Sequence, residues 1–563
     1  MSKYRHWIAL AVAVYLLLVF VDRFVLVELL LRRMALPATL VLLEGLAIVG
    51  VGWALRRDGD PVVNFIVGYP IFGTLSFLVG TISTGATPVL LLAAVAGAVS
   101  IKRGGGFQFA ADAVKPVAPL ILILLCGFVM AQAPPVSLDE LAYHLAIPHT
   151  WVLEGRALDL PLMSHSYFPL GVESADLPLL LLLGPESGGI ASHLLHLLAA
   201  IATTFFIWRR TSSALLTAAI VATPALALTA GWSLVDWPLL GICAVLYAAV
   251  EDDDERTVAA ALGAGLLTKY TFIPFAIVVL ALKRHWRGVP LGLAIGSIFF
   301  IRNLVLTGNP LAPFFGADAP HLSGYRAAYL SDYVFDGSFI DESLGVSLLI
   351  AAIVARGRSA WALLACGAAL FFLAPSSRIL VPFFAIPAMT ALLQRRALAI
   401  VLGVAVGLQT LLIVFFTERS DAFSLIAARA SEEEYVTKQR PAYRSIAWIN
   451  SLLPERSRTL VVGLNETYWF TRPVRGGGNF DGERMSRYLA LPTPEAVRER
   501  LRGDGITHVA VMAAPPPTAV ERKVAERSGR LTPEAQRMLS RMLDRYAANV
   551  QSRADASLFT LKR

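Results

Sequence analysis

Long apolar runs recur from the N-terminus to about residue 420, and they constrain the fold more than any other feature of this sequence. A helix that crosses a bilayer needs about 20 apolar residues, and shorter ones are tolerated inside a bundle. The chain is 56% hydrophobic and 16% charged, with a mean hydropathy of +0.62. Since a water-soluble domain of this composition would lack polar residues to cover its surface, the sequence predicts membrane embedding.

The apolar runs predict an all-α polytopic membrane bundle of about 13 to 15 spans. The first run follows Lys3 and Arg5, and we interpret it as a transmembrane helix because it lacks the small-residue cleavage site of a signal peptide and continues to about Leu31. The run 257–282 is interrupted at Lys269, so it is either a pair of half-helices or one broken span. The other candidate spans are 7–31, 37–55, 62–82, 86–101, 116–133, 189–208, 212–231, 236–250, 288–301, 344–355, 360–374, 379–393 and 397–416.

Paired basic residues between these runs predict the orientation of the bundle, because Lys and Arg concentrate on the cytoplasmic side. With a cytoplasmic N-terminus, only Arg32-Arg33 falls on the outer side. The loops 134–188 and 302–343 and the chain after about 417 then lie outside, provided that 257–282 returns to its starting face. The basic residues predicted to lie inside are Arg56-Arg57, Lys102-Arg103, Arg209-Arg210, Lys283-Arg284, Arg356 with Arg358, and Arg395-Arg396.

Charge and cysteine usage exclude two other classes of site. The net charge is +8, but the basic residues occur as short pairs and form no stripe, so we predict no nucleic-acid partner. Cys126, Cys243 and Cys366 lie far apart in apolar runs, which argues against disulfides and thiolate metal sites.

The C-terminal part of the chain differs from the rest, because its apolar runs are short and charges return at the density of a soluble protein. Helix-like segments at 442–453 and 494–501 alternate with strand-like segments at 459–463, 506–512 and 557–561. This alternation predicts a small α/β extracytoplasmic domain over 430–563, after a transmembrane domain over 1–420. No Lys-Ser or Lys-Thr follows Gly476-Gly477-Gly478, which indicates a turn and not a phosphate loop.

The first outer loop carries an acidic pair, Asp139-Glu140. One interpretation is structural, with Asp139 capping a helix and Glu140 facing solvent. The other is functional: Tyr143 and His144 follow four residues after each acid and share their helix faces. Such a group at a membrane surface suits proton abstraction from an acceptor hydroxyl, or the binding of a divalent cation by Asp139 and Glu140.

Further polar residues are predicted to reach the same outer face. His165 and Tyr167 are candidates for lining the site, and Asp236, between two tryptophans at the end of a span, is either interfacial or functional. An ammonium among apolar residues is costly unless it is paired or hydrated. Outer cations are exceptions to the positive-inside rule, and here they would suit a phosphate held at the membrane surface. The residues concerned are Lys269, Arg302 with Asn303, and Arg378.

These segments together resemble the GT-C superfamily of polytopic glycosyltransferases, in the branch that includes protein O-mannosyltransferases and the aminoarabinose transferase. The resemblance extends over roughly 1–420. The motifs that carry it are Asp139-Glu140-Leu-Ala-Tyr143-His144, Phe168-Pro169-Leu-Gly-Val-Glu173, Gly265-Leu-Leu-Thr-Lys269-Tyr270, Thr307-Gly-Asn309-Pro310 and the run from Arg378 to Pro382.

The resemblance implies a GT-C-like fold and a glycosyltransferase of the bacterial cytoplasmic membrane. It implies a polyprenyl-phosphate-sugar donor and a glycan, lipid or protein acceptor. It also implies Asp139 as base or metal-associated residue and Lys269 and Arg378 as groups that hold the lipid phosphate. No cofactor is expected beyond the divalent cation that the acidic pair could hold.

Two other functions are consistent with the sequence. An O-antigen polymerase or ligase also uses lipid-linked glycans, but it should depend on outer-loop arginines more than on an early acidic pair. A secondary transporter would place charges near the bilayer midplane within related halves, and the halves of this chain show no evident symmetry.

Overall fold

The computed structural model describes residues 23–57, 59–103, 118–283, 286–315, 343–373, 377–391, 393, 395–427, 429–476, 481–513 and 530–562. These residues form a helical bundle followed by a small domain that contains a five-stranded sheet. Several predictions fall outside the described residues: the first part of the span 7–31, most of the loop 302–343, Arg284, and Gly477 with Gly478.

The bundle contains four helices that are long and apolar enough to cross a membrane, over Met34–Arg56, Pro61–Ile82, Glu173–Thr211 and Arg396–Arg419. A pair bent by 51°, Val289–Gly296 with Ile298–Thr307, could form a fifth span. The chain is a multi-pass membrane protein. Its bundle helices are α1 Arg23–Arg56, α2 Pro61–Ile82, α3 Thr87–Arg103, α4 Ala118–Ala131, α5 Ala146–Glu154, α6 Leu177–Thr211, α7 Ala214–Val221, α8 Pro224–Ala227, α9 Asp236–Glu251, α10 Glu255–Leu266, α11 Phe272–Lys283, α12 Val289–Gly296, α13 Ile298–Thr307, α14 Val346–Ile353, α15 Arg358–Leu373, α16 Ser377–Met389, α17 Arg396–Arg419 and α18 Ala422–Ile426.

The interruption predicted at Lys269 is confirmed: α10 ends at Leu266 and α11 begins at Phe272. The predicted break between 31 and 37 is wrong, because α1 is continuous from Arg23 to Arg56 and contains Pro37. Arginine and leucine are strong helix formers, so Arg32-Arg33 interrupts the apolar pattern without interrupting the helix. The predicted span 212–231 is two short helices, α7 and α8.

The first outer loop is joined to the break between α10 and α11. The Gly171 N–H donates to the Leu267 carbonyl at 2.9 Å, at the point where α10 ends. A Cβ on Gly73 of α2 would lie 1.7 Å from the Gly171 carbonyl oxygen, so only glycine permits this approach. The backbone near Lys269 is therefore positioned by the same loop that carries Asp139.

Charged residues gather at two opposite ends of the bundle. At one end, Arg209 pairs with Asp60 at 2.9 Å and Arg210 pairs with Asp252 at 2.7 Å. At the other end lie Asp139 and the C-terminal domain. The first end carries two of the basic pairs predicted to be cytoplasmic, Arg209-Arg210 and Arg56-Arg57; which end faces the cytoplasm stays a prediction.

The C-terminal domain is an α/β unit, as the sequence predicts. Its sheet has the strand order β2-β1-β3-β5-β4, with β1 parallel to β2 and β3, and β5 antiparallel to β3 and β4. The strands predicted at 459–463, 506–512 and 557–561 are β1, β3 and β5, whereas β2 and β4 were not predicted. The elements are α19 Glu432–Gln439, α20 Tyr443–Leu452, β1 Thr459–Val462, β2 Val474–Arg475, α21 Gly482–Leu489, α22 Pro494–Gly503, β3 His508–Met512, α23 Pro533–Tyr546, β4 Ala547–Arg553 and β5 Ala556–Leu561.

The two faces of this sheet pack against different partners, because alternate strand residues point to opposite sides. Leu460 and Val509 belong to a small core with helices of the domain, and Leu162 of the outer loop inserts into that core. Val461 and Ala510 belong to the large core that is continuous with the bundle. The domain is thus packed on the membrane part of the chain and on the first outer loop.

Hydrogen bonds and ion pairs attach the C-terminal domain to the outer loop along its length. The loop residues that take part are Leu141, Glu154 at the end of α5, and Ser164. The contacts are Thr467 N to Leu141 O at 2.8 Å, Arg475 Nη1 to Glu154 Oε1 at 2.7 Å, Arg458 Nε to Glu154 Oε1 at 3.0 Å, and Ser164 N to Asp481 Oδ1 at 2.9 Å.

Asp481 makes this attachment sensitive to pH. Burial raises the pKa of its carboxyl from 3.8 to about 6, even though it accepts the Ser164 N–H. The folded state then binds more protons than the unfolded state between pH 4 and 6, so stability falls as pH rises through that window. We expect Asp481→Asn to remove this fall and to stabilise the protein at pH 7.5 by up to about 3 kcal/mol. Thermal unfolding of the variant and the wild type at pH 4.5 and 7.5 measures this difference in stability. If both proteins lose the same stability between the two pH values, the prediction is wrong.

Candidate active site

Four charged side chains meet at the outer-loop end of the bundle. Arg378 Nη2 lies 2.7 Å from Asp139 Oδ2, and its Nη1 lies 3.8 Å from Asp236 Oδ2. Lys269 Nζ lies 3.3 Å from Asp236 Oδ1. Two carboxylates and two cations therefore alternate in one network, which we call the Asp139–Lys269 network.

Each member of this network comes from a different segment of the chain. Asp139 precedes a π-helical turn over Glu140–His144, Asp236 is the first residue of α9, Lys269 lies between α10 and α11, and Arg378 is near the start of α16. The side chains of Asp139, Arg378 and Lys269 are 19%, 21% and 26% exposed, whereas Asp236 is 4% exposed. Three members of the network are thus partly accessible to solvent, and Asp236 is not.

Asp139 is held as a carboxylate. Burial raises the pKa of its carboxyl, but the Arg378 guanidinium together with His144 leaves the pKa below its usual value. Its side chain makes no capping hydrogen bond, so the structural interpretation of Asp139 as a helix cap is wrong. An ionised, partly exposed carboxylate can accept a proton from a bound hydroxyl.

Glu140 points away from Asp139 and into the protein. Its side chain has no exposed surface, so the interpretation that it faces solvent is wrong. Its Oε1 lies 2.7 Å from His193 Nε2 and accepts the Ser233 N–H at 2.6 Å, and its Oε2 accepts the Ser137 N–H at 3.1 Å. Burial raises the pKa of Glu140, but His193 and these two N–H groups bring it below its usual value.

Tyr143 and His144, which follow the acids, have ring centroids 4.0 Å apart but different further partners. His144 Nδ1 lies 2.9 Å from Glu173 Oε1, and both side chains are buried. Tyr143 stacks on His165 with ring centroids 4.2 Å apart, and His165 packs against Phe168 at 4.8 Å. Burial lowers the pKa of His165 to about 3, so this ring is neutral and contributes packing beside Asp139. We call the rings of Tyr143, His165 and Phe168 the aromatic layer. His144 pairs with Glu173 and is not part of this layer.

Arg302 and Asn303 belong to a second group. Arg302 Nη1 donates to the Ser166 carbonyl at 2.8 Å, and Asn303 Nδ2 donates to the Tyr167 carbonyl at 2.6 Å. Tyr270 donates to the same Tyr167 carbonyl at 3.1 Å. The three predicted cations therefore divide: Lys269 and Arg378 share Asp236, whereas Arg302 lies with the turn around Tyr167.

The acidic pair does not fit a divalent cation held by both carboxylates. The Glu140 oxygens are occupied by His193 and two backbone N–H groups, and Asp139 is turned toward Arg378. Within the described ranges, no group of three His, Cys, Asp or Glu side chains is arranged to hold a metal ion.

Several residues at this end were not singled out from the sequence. Arg484 and Asp481 come from α21 and the residue before it, in the C-terminal domain, and nothing in the local sequence relates them to residues 159–167. His193 lies in the apolar span 189–208, and an ionisable side chain in such a span is itself a signal. That signal could have indicated a buried partner such as Glu140.

No protein-family model matches the chain, and no curated protein matches its sequence. Among solved structures, ArnT from Cupriavidus metallidurans bound to undecaprenyl phosphate is 15% identical, with a TM-score of 0.43, over 78% of this chain and 96% of that chain. ArnT in the apo state is 14% identical with a TM-score of 0.46, over the same shares.

A third structure, the arabinofuranosyltransferase AftD from Mycobacteria, is 12% identical with a TM-score of 0.38, over 78% of this chain and 41% of that chain. At such identities and TM-scores the likeness assigns neither a reaction nor a residue's role to this chain.

Proposed function

We propose that this protein is a membrane glycosyltransferase that moves a sugar from a polyprenyl-phosphate-linked donor to an acceptor at the outer face of the cytoplasmic membrane. The observation that carries the proposal is the Asp139–Lys269 network. It brings a partly exposed carboxylate and two partly exposed cations together at a polar end of a membrane bundle. A base and a phosphate-binding pair are the two components that this transfer requires.

The reaction follows from the charges of the network. The acceptor hydroxyl attacks the anomeric carbon of the sugar and gives its proton to the Asp139 carboxylate. A new glycosidic C–O bond forms as the C–O bond to the lipid phosphate breaks, and the phosphate leaves with the electron pair of that bond. Arg378 and Lys269 stabilise the negative charge on the departing phosphate, and attack opposite the leaving group inverts the anomeric centre.

Asp236 has a positioning role in this proposal. Its side chain is 4% exposed, and it contacts both Lys269 and Arg378. A buried carboxylate that faces both cations holds them at a fixed separation without competing for the exposed side. Glu140 and His144, which are buried with their own partners, position the loop and do not touch substrate.

We expect Lys269→Gln to weaken the binding of undecaprenyl phosphate by about 10- to 100-fold, because it removes one charge-assisted contact to the phosphate. Binding to the purified full-length protein measures the effect. Arg287→Gln is the matched control, because Arg287 lies at the opposite polar end, where it is 84% exposed and pairs with Glu255. Equal binding by the Lys269 variant and the wild type would remove Lys269 from the phosphate site.

Mass analysis of lipid-linked sugars in a strain that lacks the protein tests the function itself. The expected result is accumulation of one polyprenyl-phosphate sugar and loss of one glycosylated product. If a polymerised or ligated glycan is lost instead while monosaccharide donors stay constant, the protein is an O-antigen polymerase or ligase. Unchanged lipid-linked sugars would contradict both functions and would favour a transporter.

A further inference from the structure

The ring of Tyr167 lies beside two guanidinium groups that come from different parts of the chain. Arg302 of α13 has its Cζ 5.6 Å from the ring centroid, and Arg484 of α21 has its Cζ at 5.1 Å. Both distances are within the range of cation–π contacts. The membrane bundle and the C-terminal domain thus each supply one cation to the same small volume, which we call the Tyr167 cluster.

Two carboxylates lie near the guanidinium groups of the Tyr167 cluster. Asp481 is within electrostatic range of Arg484. Asp159 lies against Arg302, with its Oδ1 3.7 Å from Arg302 Nη2, and its Oδ2 accepts the Tyr167 hydroxyl at 3.4 Å. The Arg302 side chain is only 13% exposed, yet its Nη2 has no hydrogen-bond acceptor among the residues described. The Asp159 Oδ1 that lies 3.7 Å from this Nη2 also has no hydrogen-bond partner, so the two groups form an ion contact without a hydrogen bond and the Nη2 can still donate to an anion.

Arg484 is held in place by the attachment of the C-terminal domain. Its Nη1 donates to the Pro161 carbonyl at 2.9 Å. Three residues earlier in the chain, Asp481 accepts the Ser164 N–H, and Leu162 between these contacts inserts into the core of the domain. A guanidinium fixed in this way loses little conformational entropy when it binds an anion.

The Tyr167 cluster adjoins the Asp139–Lys269 network without being part of it. The charges of both Asp139 and Arg484 act on His165, which belongs to the aromatic layer. The cations of the network face Asp236, whereas Arg302 faces Asp159. One substrate that reaches both the Asp139–Lys269 network and the Tyr167 cluster would carry two separated anionic groups. Alternatively, two substrates would each carry one anionic group.

We propose that Arg302 and Arg484 form an anion site for a phosphate or carboxylate group of the acceptor. The inference rests on the proposed function, in which Lys269 and Arg378 hold the phosphate of the donor lipid. An acceptor anchored at the Tyr167 cluster places its hydroxyl across the aromatic layer toward Asp139. The C-terminal domain then contributes directly to acceptor recognition through Arg484.

Phosphate binding to the purified full-length protein tests the site without turnover. Thermal stability is measured against inorganic phosphate at constant ionic strength, in an Arg378→Gln background that weakens the donor site. We expect phosphate to raise the Tm in this background, and Arg484→Gln to weaken the apparent affinity at least about tenfold. Arg487→Gln, on the same helix and paired with Glu483, is the matched control and should bind as the background does.

Arg484→Lys should retain part of the affinity, which separates loss of charge from loss of folding. Phosphate binding by Arg484→Gln equal to that of the background would overturn the anion site, and so would the absence of any phosphate effect before Arg484 is changed. Failure of the proposed function is recognised in a different experiment, the mass analysis of the strain that lacks the protein, as unchanged lipid-linked sugars. Nanodiscs with anionic phosphatidylglycerol, compared with zwitterionic phosphatidylcholine, distinguish an anionic lipid headgroup that competes for the site from a soluble acceptor.

Discussion

Asp139→Asn is expected to lower the rate of sugar transfer by about 10²- to 10⁴-fold, the usual contribution of a positioned general base. Asparagine has nearly the shape of aspartate and can still accept a hydrogen bond from Arg378, so the network keeps its geometry and loses only the group that takes the proton. Because the change affects the chemical step, kcat should fall while the binding of polyprenyl phosphate stays close to that of the wild type. Single-turnover transfer from the accumulated donor measures the chemical step.

The matched control for this variant is Glu186→Gln, which removes an exposed carboxylate from α6. We expect Glu186→Gln to keep the wild-type rate and both variants to keep the wild-type Tm. If Asp139→Asn transfers sugar at more than about a tenth of the wild-type rate, the fall is smaller than a general base accounts for, and Asp139 is not the base.

The sequence was sufficient for the elements whose signal is local. A lysine within an otherwise apolar run predicted the break between α10 and α11, because an ammonium in lipid needs a partner, and Asp236 provides one at 3.3 Å. The strands β1, β3 and β5 were predicted because they are short and β-rich. The strand β4 was not, since six of its seven residues are exposed and four of those six are polar, as is common at a sheet edge.

Long-range pairings were beyond the reach of sequence patterns. Glu140 was expected to act beside Asp139, yet its partner His193 lies 53 residues away. Adjacent residues point in different directions from a helical backbone, so two neighbouring acids rarely share one substrate. Arg302 was grouped with Lys269 and Arg378 because all three were predicted to reach one face. The tertiary contacts of Arg302 with Ser166 and Tyr167, and the approach of Arg484 to the same ring, reveal that Arg302 belongs to a different cluster.

The second large effect concerns stability. Glu140→Ala is expected to destabilise the protein by about 3–5 kcal/mol, because it leaves buried partners without an acceptor. The carboxylate joins three segments: it accepts the N–H of Ser137 in the outer loop, contacts His193 of α6, and accepts the N–H of Ser233 before α9. Chemical or thermal unfolding in detergent measures the loss, and transfer activity should fall in parallel with the folded fraction.

Glu140→Gln and His193→Ala separate this structural role from a catalytic one. Glutamine keeps an oxygen that can accept the Ser233 N–H, so Glu140→Gln should cost less than the alanine variant and retain activity at low temperature. The double variant Glu140→Ala with His193→Ala should be less destabilised than the sum of the single variants by about 0.5–3 kcal/mol, since each single change already breaks the shared contact. If Glu140→Gln abolished transfer with an unchanged Tm, Glu140 would touch the reacting groups, and the acidic pair would act together as its sequence suggests.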